Sequence, residues 1–228
     1  MLEFGGTLLA ALIGAVIGSV GAVYVKHLLN RRTELVRRRE ALVQHYLFQI
    51  QDSAETLWHR IYNLAFRGGK GLMGKTYYET TTLYALGKML ATERILAVEG
   101  VYPQLNAVYP ELGDFLWRER FDERLEGIRF NKYDRIALAE AVTEREEGRF
   151  RTSTFLEFKK RYEADGSIER EWLKPASDTI KSLTLEKEKE LLDALFAIAE
   201  QVSRDTGVST SSELLPADEA EKIAETSR

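Results

Sequence analysis

The chain has 228 residues, of which 44% are hydrophobic and 30% charged, with four prolines. That is room for one ordinary domain and a little more, which excludes a large multidomain enzyme and a disordered or collagenous chain. The absence of cysteine excludes disulfides, thiolate metal sites and cysteine nucleophiles, and a net charge of -4 argues against a general nucleic-acid binder.

From Gly5 to Val25 no side chain is charged. As a helix this stretch would rise about 31 Å, close to the hydrocarbon thickness of a bilayer. A cleaved signal peptide would need a basic start and a small-residue cleavage site, but the chain opens Met-Leu-Glu-Phe and its bases follow the apolar run. Lys26, Arg31, Arg32, Arg37, Arg38 and Arg39 stand against the single acid Glu34. The expectation is an uncleaved transmembrane anchor over residues 1–29, single-pass, with the N-terminus outside and the rest cytoplasmic, in the cytoplasmic or plasma membrane. The basic collar is expected to contact anionic lipid.

Within the apolar run, Gly6, Ala10, Gly14, Gly18 and Ala22 recur every four residues. Such a face lets helix backbones approach closely, so self-association or pairing with another membrane helix is expected.

Residues 30–66 form a basic juxtamembrane helix on this reading. Leu35, Leu42, Tyr46, Ile50, Leu57, Ile61 and Leu64 keep helical spacing, and Trp58, Tyr62 and Phe66 mark its entry into a bundle. Four glycines between Arg67 and Lys75 break it. A cytoplasmic helical domain is expected over residues 67–204. Its helices read at about 76–98, 111–126, 132–147, from Ser153 to Tyr162, and at 178–203, with Pro103 and Pro110 bracketing a loop and Pro175 interrupting. Gly148 ends the 132–147 helix on this reading. No segment alternates as a strand would, so the predicted fold is all-α, a bundle of about five to seven helices behind the membrane helix. Beyond residue 205 a polar, then acidic composition predicts a disordered tail.

Residues 69–76, Gly-Lys-Gly-Leu-Met-Gly-Lys-Thr, match the phosphate-loop pattern G-x-x-x-x-G-K-[ST]. In such a loop Gly69 and Gly74 would let amides wrap the phosphates, Lys75 would reach the β and γ oxygens, and Thr76 would ligate magnesium. That geometry requires a strand immediately before the loop and an acidic partner on another strand. Trp58 to Phe66 instead continue a helical pattern, so a flexible basic connection is expected, touching anionic lipid through Arg67, Lys70 and Lys75.

His27, His45 and His59 lack the duplicated Glu-x-x-His of a bundle metal site, and no hydrolase signature is present, so neither catalytic nor metal-ligating residues are assigned and no cofactor is expected. Between residues 117 and 132, Trp117, Arg118, Arg120, Phe121, Arg124, Arg129, Phe130 and Lys132 mix aromatics with bases, but Glu119, Asp122, Glu123 and Glu126 interleave as in an ion-paired surface helix. The predicted function is a noncatalytic, membrane-anchored scaffold binding the bilayer, another membrane helix or copy of itself, and an unknown cytoplasmic protein. The alternative is a nucleotide-binding enzyme or switch using residues 69–76.

Overall fold

A computed structural model of the chain describes residues 3–128, 130–210 and 214–226, with the side chains of residues 3–25, 28, 35 and 39 left out of the description. The protein is mostly helical, as the periodicity predicts. Two compact units divide it, residues 1–42 and 43–228.

The first unit is the N-terminal part of helix α1, which runs from Glu3 to Phe66. Among the described residues no helix is long and apolar enough to cross a membrane. The expected span, Gly5 to Val25, lies outside the residues whose side chains are described, and so does its small-residue face.

The second unit begins at Val43 and is built around α2 (Thr76–Val98). Leu83, Leu86, Met89, Leu90, Ile95 and Leu96 are all buried, together with Thr80, Thr81, Thr82 and Thr92. Helices apolar on every side belong at the centre of a fold. The buried threonines fit because each hydroxyl donates back along the helix: Thr80 to the Thr76 carbonyl at 2.6 Å, Thr81 to Tyr77 at 3.0 Å and Thr82 to Tyr78 at 2.8 Å.

The C-terminal part of α1 lies antiparallel to α2. Asp52 pairs with Lys88 at 2.5 Å, the Ser53 and Thr92 hydroxyls meet at 3.2 Å, and the Arg60 guanidinium lies 4.9 Å from the Tyr78 ring centre. The turn of the hairpin is a 3-10 segment, Gly69–Leu72. Across α2 runs α6 (Lys132–Val142), and the two approach closely at Gly87, where a Cβ would come within 2.8 Å of the Leu138 carbonyl.

Between them the chain forms α3 (Val101–Val108), α4 (Pro110–Arg118) and α5 (Phe121–Gly127). Pro110 opens α4, where its missing N–H costs nothing, and α3 takes up most of the loop expected between Pro103 and Pro110.

Two further expectations are corrected between residues 143 and 182. The helix ends at Val142, and Thr143–Glu146 (β1) pairs antiparallel with Arg149–Thr152 (β2) through a two-residue turn. Glu147 and Gly148 both hold positive φ, 48° and 84°, as the twist of a tight hairpin demands. This hairpin has no apolar alternation to advertise it, being joined by charge: Arg151 pairs with Glu144 at 2.6 Å and Glu146 at 2.8 Å. After α7 (Phe155–Tyr162), Pro175 sits inside α8 (Ile168–Ser182) without ending it. Pro175 is exposed, so the carbonyl it frees faces water, while Leu173, Ala176, Ser177 and Ile180 hold the opposite face in the core.

Helix α9 (Leu185–Thr206) ends at Gly207, whose φ of 71° is left-handed. The tail then departs from the disorder that its composition predicts. Residues Ala217–Thr226 form α10, with Ala217, Ala220 and Ala224 buried against the fold and Leu214 beside them. The Ala217 N–H donates to Asp193 at 2.8 Å, and Lys189 of α9 reaches Glu221 at 2.5 Å. Alanines spaced three and four apart provide a small apolar face that the surrounding acids conceal in an average.

Candidate functional site

The residues matching the phosphate-loop pattern connect two helices. Helix α1 precedes them, and Lys75 is the residue at which α2 begins, with its N–H donating to the Leu72 carbonyl at 2.8 Å. Gly69 is buried, and a Cβ there would collide with the Tyr78 hydroxyl and come within 2.6 Å of the Asn63 carbonyl. Gly74 faces open space, and Lys75 and Thr76 are exposed. Met73 is fully buried and pins the connection to the core.

The second basic residue of the string, Lys70, is committed elsewhere. Its ammonium lies 2.9 Å from the Glu188 carboxylate on α9 and donates to the Leu183 carbonyl at 2.5 Å. Glu188 is 1% exposed. Burial pushes its carboxyl above the usual range and the Lys70 charge pulls it back. Of the three bases assigned to lipid contact in this connection, Lys70 is thus tied to the fold, Arg67 lies over the Tyr62 ring at 5.7 Å, and Lys75 is exposed.

The basic collar reads similarly simply. Lys26, Arg31, Arg32, Arg37 and Arg38 are exposed, with Arg38 paired to Glu34 at 2.5 Å; the Arg39 side chain lies outside the described residues. Gly6, Ala10, Gly14, Gly18 and Ala22 also fall there. His27 is exposed, His45 shares a 3.0 Å hydrogen bond with Gln49, and the His59 ring meets Trp58 edge-on. Among the described residues no three His, Asp or Glu side chains are grouped to hold a metal ion.

The aromatic and basic stretch 117–132 is divided between core and surface. Phe121 and Phe130 are buried, whereas Trp117 is half-exposed with Arg120 stacked 4.4 Å from its ring centre. Arg120 pairs with Glu123 and Arg124 with Glu119.

Beside this stretch lies a polar group that periodicity did not single out. Glu93, in the middle of α2 and 5% exposed, accepts the backbone N–H of Phe121 at 2.6 Å and of Asp122 at 3.0 Å. Helix α5 starts at Arg120 without a capping side chain of its own, so Glu93 serves as its cap from a distant helix. Burial drives the Glu93 carboxyl up to about 7, against the pull of the two amides. Arg135, 4% exposed, donates to the Phe130 carbonyl at 3.2 Å and pairs with Asp122 at 3.0 Å and Glu126 at 3.1 Å. Glu93, Arg120, Asp122 and Arg135 border an open cleft of about 290 Å³. Each charge there is answered by a neighbour, so the cluster chiefly locks α5 and α6 onto α2. In the sequence Glu93 resembles the other charges of α2, Glu79, Lys88 and Arg94, and only its place on the buried side of the helix sets it apart.

A second cleft, of about 370 Å³, lies between the C-terminal part of α1 and the segment leading into α10, walled by Trp58, Tyr62 and Ile223. No protein-family model, curated protein or solved structure matches the chain.

Proposed function

We propose that the protein is a noncatalytic, single-pass membrane-anchored scaffold, with its N-terminus outside and its helical domain on the cytoplasmic side, where it holds another protein. The observation that carries this reading is the uncharged run from Gly5 to Val25, followed at once by the exposed bases Lys26, Arg31, Arg32, Arg37 and Arg38. A compact unit that begins only at Val43 suits a domain displayed beyond an anchor. The small-residue row from Gly6 to Ala22 would pair the anchor with a second copy or another membrane helix.

The rival reading, a nucleotide-binding enzyme or switch at Gly69, Gly74, Lys75 and Thr76, is less favoured. The connection that holds them follows a helix rather than a strand, and a phosphate there would meet neither the orienting strand nor Lys70, which Glu188 already engages. Protease treatment of sealed vesicles of known orientation tests the anchor. The domain should be degraded only when the cytoplasmic face is exposed. A soluble mature chain starting near residue 25 would overturn the reading.

A further inference from the structure

The cleft between α1 and the C-terminal segment is unlike the other hollows of the fold. On one side Trp58 and Tyr62 stack with ring centres 5.2 Å apart and planes 9° from parallel. Facing them are Leu215, Ala220 and Ile223. The volume, about 370 Å³, lies within the range of small-ligand pockets. Trp58 is 2% exposed, yet its indole N–H meets no acceptor on the protein. A buried donor without a partner is unfavourable, and such groups are rare enough to call for an explanation. Arg67 also lines the cleft; it is exposed, lies over the Tyr62 ring and, among the described residues, no carboxylate pairs with it. Among the described residues no acid lines the cleft. The site therefore offers apolar and aromatic walls with His59 among them, an unpaired N–H donor, and a guanidinium that lies over the Tyr62 ring and that no described carboxylate engages.

We propose that this cleft binds a small organic monoanion, a carboxylate on a flat apolar body, whose oxygens accept from the Trp58 indole and pair with Arg67. The body replaces water against Tyr62 and Ile223, and the carboxylate answers both donors by charge-assisted bonds. A neutral ligand would satisfy Trp58 alone, and a cation would be repelled by Arg67.

The chain contains three tryptophans, so the full-length protein labelled with 5-fluorotryptophan in lipid nanodiscs gives one fluorine signal for each. Trp58→Phe identifies the signal of Trp58. Addition of 2-naphthoate should shift that signal saturably and leave those of the exposed Trp117 and Trp172 in place. The neutral 2-naphthamide should bind about 10-fold more weakly, and Arg67→Gln should weaken naphthoate by about 10-fold, the scale of one lost charge-assisted contact. Arg67 is exposed, so that variant keeps the fold. Equal affinity for acid and amide, an unchanged affinity in Arg67→Gln, or a Trp58 signal that naphthoate does not shift would overturn the proposal.

Discussion

Lys70 and Glu188, one in the turn between α1 and α2 and the other on α9, form an ion pair at 2.9 Å in which the carboxylate is almost wholly buried. Removing the lysine would strand that carboxylate. Lys70→Ala should lower stability by roughly 1–3 kcal/mol, a range reduced because the Lys70 side chain is 34% exposed. Lys75→Ala, at an exposed position, should stay within about 0.5 kcal/mol, and adding Glu188→Gln to Lys70→Ala should recover part of the loss. Thermal unfolding followed by circular dichroism compares the variants. Equal melting temperatures for the two lysine variants would show that the pair contributes nothing.

The two glycines of the phosphate-loop pattern should respond with opposite signs. At Gly69 a methyl group meets the Asn63 backbone carbonyl, which cannot rotate away, so Gly69→Ala should destabilise by roughly 1–3 kcal/mol. At Gly74 it meets nothing, and Gly74→Ala should be neutral or stabilise by up to about 1 kcal/mol through the unfolded chain. The same melting measurements decide it. ATP binding by the parent protein that Lys75→Ala abolishes would instead put the nucleotide reading first.

Glu93 should make stability fall as the solution turns from acid to neutral. Its folded value of about 7 exceeds the 4.5 of a solvated glutamate. The folded state therefore binds its proton more tightly, a contribution fully present below pH 4.5 and lost progressively up to about pH 7. The amount is on the order of 3 kcal/mol. Glu93→Gln keeps an acceptor for the Phe121 N–H and removes the charge, so it should flatten that slope. Denaturant midpoints between pH 4 and 8 that fall equally in parent and variant would exclude Glu93 as the cause.

Glu157 should act in the opposite sense. The Arg151 guanidinium, followed by bonds from Thr154, holds its carboxyl down to about 2. Its contribution is present above the unfolded value near 4.5 and is lost as pH falls toward 2. With Thr154 it forms a capping box at the start of α7. Glu157→Gln should therefore accelerate amide exchange in the first turn of α7 at neutral pH, and exchange in the parent should approach that of the variant in acid. Identical exchange at both pH values would leave the box without energetic weight.

The proposed association through the anchor would depend on close backbone approach. Gly14→Ile combined with Gly18→Ile should then weaken self-association or partner capture in a membrane two-hybrid assay several-fold, because branched side chains would hold the two backbones apart. An unchanged signal would make those glycines incidental.

Local signals explain what could be anticipated. Helix α2 shows in its spacing and α7 in a start expected at Ser153, one residue from its cap Thr154, whereas the helix expected over 178–203 runs across the break at Leu183–Thr184 that separates α8 from α9. The β1–β2 hairpin is not legible in the sequence because Glu144, Glu146 and Arg151 stabilise it by charge, a pattern shared with a helix surface. Helix α10 is not legible because its alanines are apolar only by contrast with the acids around them.

By itself the sequence determines the helical class, the uncharged run from Gly5 to Val25 and its one-sided basic flank, since these follow from composition and from neighbours along the chain. Tertiary structure decides the rest. That Glu93 caps a helix 28 residues away, that Lys70 serves Glu188 more than 100 residues on, and that Trp58 faces a cleft closed by residues 215–223 all depend on distant segments meeting. Burial and pairing of a charge are properties of the surroundings that those segments create, and no local pattern encodes them.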